Sequence, residues 1–155
     1  METGPFLAYI EGRQMRWKFT LDQCIDDAGA DPRARLLAVF DALRSWAASQ
    51  PGFRSFSFTH AMVELAGPQH PAHIMVTSNK RALRKRILEL SEATGTPDPN
   101  FLTDQLLLIY EGAISNHALG NVDEAADKAH ATARQLISAA SPLPVSTFLA
   151  GPETH

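Results

Sequence analysis

Apolar residues recur at helical spacing along nearly the whole chain. After Pro5, a stripe of Phe6, Ile10, Trp17, Leu21 and Cys24 predicts a first helix. Glu11, Arg13, Arg16, Lys18 and Asp22 fall largely off that stripe. Gly29 marks its end. Asp31-Pro32 reads as the N-cap and first position of a second helix, where proline lacks an N–H that the helix does not need. Leu36, Phe40, Leu43 and Ala47 share one face of that helix, with Leu37 and Trp46 beside them, and Gln50-Pro51-Gly52 breaks it.

Phe53–Ala66 is ambiguous, because Phe56, Phe58 and His60 alternate as in a strand, whereas Phe58, Met62 and Leu65 fit a helix. An isolated strand would leave its backbone groups unpaired and no second strand is foreseen, so a helix is expected, closed by Gly67-Pro68. His70-Pro71 opens a long helix to about Ala93, with Val76, Leu83, Ile87 and Leu90 inward and Gly95 as its stop. A helix from Pro99 to about Leu119 follows Asp98 and ends at Gly120. Asn121 and Glu124 have the spacing of a capping box for a last helix, made slim by alanines 125, 126, 129, 131 and 133. Ser141-Pro142 and Pro144 end regular structure. The expectation is an all-α bundle of about six helices, one domain over residues 1–140, and a mobile tail over 141–155.

Asp104 to Ile114 is apolar on nearly every side. A helix of that kind is buried all round, so it is expected either at the centre of the domain or partly covered by a second copy.

Composition narrows the class. A chain of 155 residues suffices for one domain with a sizeable core. A net charge of −3 speaks against a nucleic-acid binder, which usually carries a basic excess. Cys24 is the single cysteine and cannot form an internal disulfide, so a reducing cytoplasm is the expected setting. No apolar run is long enough to cross a bilayer, and the first residues lack the basic start and apolar core of a signal peptide. No internal repeat is evident.

The order of helices resembles the C-terminal ligand-binding and dimerisation domain of TetR-family transcriptional regulators. Phe6-Leu7-Ala8-Tyr9-Ile10 followed by Trp17 is similar to the family's helix leaving the DNA-binding domain. Arg35 to Leu43 with Trp46 is similar to its second core helix. His70-Pro71 leading into Lys80-Arg81-Ala82-Leu83-Arg84 also fits, and Asp104 to Ile114 is similar to the dimer helix. The match runs from about Phe6 to Ala139. Nothing before Phe6 supplies the family's helix-turn-helix, so direct DNA binding by this chain is not expected. Between Phe53 and Glu64 the small and amide residues common in the family are replaced by Phe56, Phe58, Thr59 and His60.

The resemblance implies an apolar pocket between helices, the usual form of a small-molecule site. Its expected lining is Trp17, Leu21, Phe40, Leu43, Phe58, His60, Met62, Leu83, Ile87, Leu106, Tyr110 and His117, for an apolar or aromatic ligand. The plain alternative for each is core packing. The resemblance also implies a two-fold homodimer through the last two helices. Gln105, Leu108, Ile109, Gly112, Ala113 and Asn116 would meet Ala126, Ala129, Ala133, Leu136 and Ile137 there.

Other chemistries have less support. His60 and Glu64 are four apart, and His70, His73 and His117 are scattered, but the four tightly spaced ligands of structural zinc are missing, so neither metal nor cofactor is expected. Ser55, Ser57 and His60 lack a nucleophile elbow, and Cys24 sits on an apolar stripe that favours an inert thiol, so an enzyme is not expected. Lys80, Arg81, Arg84, Lys85 and Arg86 read as a solvated helix face offset by Glu89 and Glu92. A stand-alone interaction protein, docking through the exposed face of its first helix, is the alternative function.

Overall fold

A computed structural model describes residues 4–49 and 66–141. Among these residues there are five helices and no strand: α1 (Gly4–Asp27), α2 (Pro32–Ala48), α3 (Pro71–Ala93), α4 (Pro99–Leu119) and α5 (Ala125–Ala140). The expected helix over Phe53–Ala66 falls almost wholly outside the described residues, as does the expected tail beyond Ser141.

Three helix starts form as local chemistry dictates. Asp31 accepts a hydrogen bond from the Arg33 N–H, and the Nδ1 of His70 accepts from Ala72 N–H at 3.0 Å. Asp98 accepts from Phe101 N–H at 3.1 Å, and a proline follows each cap. The end of α4 is equally local. Gly120 adopts φ 63°, in the left-handed region open to glycine, and turns its N–H back to the Asn116 and His117 carbonyls.

The capping box expected at Asn121 and Glu124 does not form. Helix α5 begins only at Ala125, and Glu124 precedes it at φ 52° with no side-chain cap bond. Asn121 is already committed to closing α4: its N–H reaches Asn116 O at 3.1 Å and its Nδ2 donates to Asn116 Oδ1 at 3.0 Å.

The centre of the bundle is α2, not the apolar α4. Helix α2 packs extensively on α1 and α5 and also meets α3, while α4 lies against α5 and α3. Leu36, Ala38, Val39, Phe40, Ala42 and Leu43 are all buried, and the two alanines let neighbouring helices approach that side of α2. Helix α4 buries Leu102, Leu106, Tyr110, Ala113 and Ile114 but leaves Phe101, Leu108 and Leu119 exposed. A smaller cluster of Ile10, Ala72 and Val76 fastens the start of α1 to the start of α3.

Two interactions tie α2 to α5. His130, buried, donates from Nε2 to Asp41 Oδ1 at 2.8 Å, and Arg44 Nε donates to Asp127 Oδ1 at 2.8 Å on the surface. Arg13, which the sequence pattern places off the apolar stripe, is buried. Its guanidinium lies 5.7 Å from the Tyr9 ring centroid and 5.9 Å from that of Trp46. The stem of such a side chain packs as an apolar group while its head finds aromatic faces.

Candidate functional site: a cleft between α1, α3 and α4

Helices α1 and α3 touch only lightly, and the gap between them is a cleft of about 610 Å³ that reaches α4. That size lies within the range of small-molecule sites. Trp17 and Leu21 from α1, Leu83 from α3 and Tyr110 from α4 all line it. These four belong to the pocket set expected from sequence.

The aromatic floor is continuous with the core. The Trp17 and Tyr110 ring centroids are 6.0 Å apart at 49°, Trp17 and Trp46 are 5.6 Å apart at 77°, and Phe40 meets Tyr110 edge-on at 6.4 Å. Tilted and edge-to-face pairs of this kind are favoured by the ring quadrupoles. Tyr110 is only 2% exposed, and its hydroxyl has no hydrogen-bond partner among the described residues. Burial, with the Glu111 carboxylate adding to it, pushes the Tyr110 phenol well above its ordinary range. The group is therefore a neutral O–H.

Ion pairs fasten the rim. Lys80 of α3 meets Glu111 of α4 at 3.5 Å, and Arg86 of α3 meets Asp22 of α1 at 3.6 Å. Arg84 pairs with Asp104 of α4. The basic run of α3 is thus offset by carboxylates on neighbouring helices, as well as by the acidic residues that follow it in sequence. All these pairs are substantially exposed, so each is worth little to stability.

The remaining pocket candidates separate into three groups. Phe40, Leu43, Ile87 and Leu106 are fully enclosed in the core behind the cleft. His117 lines a different crevice of about 480 Å³, between the end of α4 and the α2–α5 pair, where Asp41, Arg44 and Asp127 make the walls polar. Phe58, His60 and Met62 lie outside the described residues. Thirteen further lining residues lie outside the expected set, and five of them are uncharged: Gln14, Met15, Met75, Asn79 and Ala82. Met75, Asn79, Ala82 and Arg86 recur at helical spacing beside the core stripe of α3, which is the signal that would have placed them.

The expected interface residues divide similarly. Ala126, Ala129, Ala133 and Ile137 on α5, and Ala113 on α4, are buried within the chain. Leu136 is half-buried. Gln105, Ile109, Gly112 and Asn116 are half-buried on the outward side of α4, where Leu108 is 75% exposed. Phe101 and Leu119, at 59% and 76% exposed, extend the same face by helical spacing.

Among the described residues no three His, Cys, Asp or Glu side chains are grouped to hold a metal ion. No described helix is long and apolar enough to cross a membrane. Cys24 is half-buried, and burial, then the Asp41 and Asp27 carboxylates, push its thiol up, which makes the nucleophilic thiolate scarcer. No family model, curated protein or solved structure matches the chain.

Proposed function

We propose that this chain is a ligand-sensing and dimerisation domain of the kind found in TetR-like regulators, binding an apolar or aromatic small molecule between α1, α3 and α4. The observation that carries the reading is the cleft, where Trp17, Leu21, Leu83 and Tyr110 from three helices converge on one aromatic-floored space. A ligand there would bridge α1 to α3 and α4 and favour one arrangement of α1 over others, which is how a sensor shifts a population. The homodimer belongs to the same reading. Its support is the apolar row of Phe101, Leu108 and Leu119 along α4, flanked by Gly112, where an added Cβ would meet no atom within 4 Å.

Thermal unfolding against a library of small aromatic compounds tests the sensor. A ligand at 100 times its Kd stabilises the folded state by about 2.7 kcal/mol, a rise in Tm on the order of 5–10 °C for a chain of this size. Ala82→Trp, at an exposed position on the cleft wall, is expected to fill the space and remove that rise while leaving the fold intact. A rise that survives Ala82→Trp would place the ligand elsewhere.

A second reading has its own observation. Met15 and Phe19, one turn apart on α1, are both exposed. As an interaction protein, the chain would dock a partner through them. Phe19→Glu would then abolish partner capture and leave small-molecule binding untouched.

A further inference from the structure

We infer that the cleft takes an uncharged aromatic ligand with a single carbonyl-type acceptor, and that Tyr110 donates the hydrogen bond that selects it; this rests on the cleft being a ligand site. Three observations converge. The floor is aromatic, so a flat ring system can lie against Trp17 and Tyr110 in the geometry those rings already adopt with each other. The charged residues of the lining comprise carboxylates and cations in equal number, and Lys80–Glu111 and Arg86–Asp22 already pair across the rim. The lining therefore carries no net charge, and an ionic ligand would find no surplus of opposite charge.

The third observation is the unpartnered hydroxyl. Trp46 Nε1 and His73 Nδ1 are fully enclosed polar atoms without a partner, and neither residue lines the cleft. Tyr110 does line it, and its O–H has no acceptor among the described residues. The hydroxyl is not among the fully enclosed unpaired atoms, so it is open to the cleft, where a ligand acceptor takes the place of water. The hydroxyl stays protonated at neutral pH, so it offers a proton to an acceptor. The other uncharged polar side chains of the lining, Gln14 and Asn79, are half-buried and more open to water, which weakens their power to discriminate.

The test uses the whole chain and two matched probes, 2-acetylnaphthalene and 2-ethylnaphthalene, with equilibrium dialysis as the readout. Tyr110→Phe is expected to weaken the ketone about three- to tenfold, the value of one hydrogen bond, and to leave the hydrocarbon unchanged. Unchanged hydrocarbon binding also shows that the variant cleft is intact. Gln14→Ala with Asn79→Ala is expected to keep the ketone preference. Equal effects of Tyr110→Phe on both probes would overturn the inference and leave the cleft standing. So would loss of the preference in the Gln14/Asn79 variant, or tighter binding of 2-naphthoate than of the ketone. Failure of the native chain to bind either probe would overturn both the inference and the cleft reading.

Discussion

Trp17 of α1 and Tyr110 of α4 meet with ring centroids 6.0 Å apart, and the contact joins the wall of the cleft to the core of the bundle. Phe40 of α2 backs Tyr110 from the other side at 6.4 Å. The ring is therefore held by the bundle while its hydroxyl is left without a partner among the described residues. Pre-organisation of this kind lowers the cost of ordering a site when a ligand arrives.

That environment sets an alkaline signature. The Tyr110 phenol is raised above its ordinary range, so between about pH 10 and its folded-state value the unfolded chain releases a proton that the folded chain retains. The unfolded state then binds fewer protons, and stability falls as pH rises through that window, while below it the contribution is fully present. Tyr110→Phe removes this proton. Thermal unfolding from pH 8 to 11 is expected to show a shallower alkaline loss of Tm in the variant than in the native chain. Parallel curves would contradict the burial of the phenol.

The two ties between α2 and α5 are expected to differ in weight. His130 is buried against Asp41, whereas Arg44 and Asp127 are about half exposed. His130→Ala deletes a buried side chain and its packing together with its bond to Asp41, which is itself about half exposed, at a cost of about 1–3 kcal/mol, while an exposed ion pair is worth roughly 0–1 kcal/mol. Urea unfolding should therefore show His130→Ala clearly less stable than Arg44→Ala. Equal losses would mean that the burial of His130 adds nothing to the tie.

Helix boundaries offer a third check. Asp98→Ala removes the side-chain acceptor at the start of α4, at a cost of about 1 kcal/mol. Gly120→Ala puts a Cβ on a residue at φ 63° and costs about 1–2 kcal/mol. A Cβ there meets no atom within 4 Å, so the whole loss is backbone strain, and Gly120→Asn should recover part of it. If Asn proves no better than Ala in thermal unfolding, the left-handed stop is not what closes α4.

These boundaries were legible because their causes are local. Asp31-Pro32, His70-Pro71 and Asp98-Pro99 each carry cap and first position within two residues, and each starts a helix where the sequence puts it. Packing was less legible. Alanines 126, 129 and 133 announce that some helix comes close to α5, but not whether it belongs to the same chain. Here α2 fills that place. An apolar surround on α4 left two places open to it, the centre of the domain or a face covered by a second copy; α2 holds the centre, because the centre is decided by which helices can approach and not by one helix's own composition. His130 and Asp41 lie 89 residues apart, and no short-range pattern joins them. Four residues of the cleft were readable because Trp17, Leu21, Leu83 and Tyr110 stand out as large groups at core spacing. Gln14, Asn79 and Ala82 were not, since such residues read as ordinary surface.

With the alanine face of α5 occupied from within, the proposed homodimer depends on the outward face of α4. Leu108 stands at its middle, 75% exposed, with Phe101 and Leu119 two turns and three turns away on the same side. Leu108→Glu would put a charge into an apolar contact, and sedimentation at micromolar concentration is expected to show a dimer for the native chain and a monomer for the variant. Gly112 sharpens the test. In a lone chain, Gly112→Ala meets no atom and removes a helix-interior glycine, so it should stabilise by about 0.8–1 kcal/mol. In a dimer that brings two α4 helices close at Gly112, the added methyl obstructs the approach. Gly112→Ala should then raise stability at high dilution while weakening association. A native chain that sediments as a monomer, with Gly112→Ala simply more stable at every concentration, would remove the dimer and leave the cleft as the functional surface of a single chain.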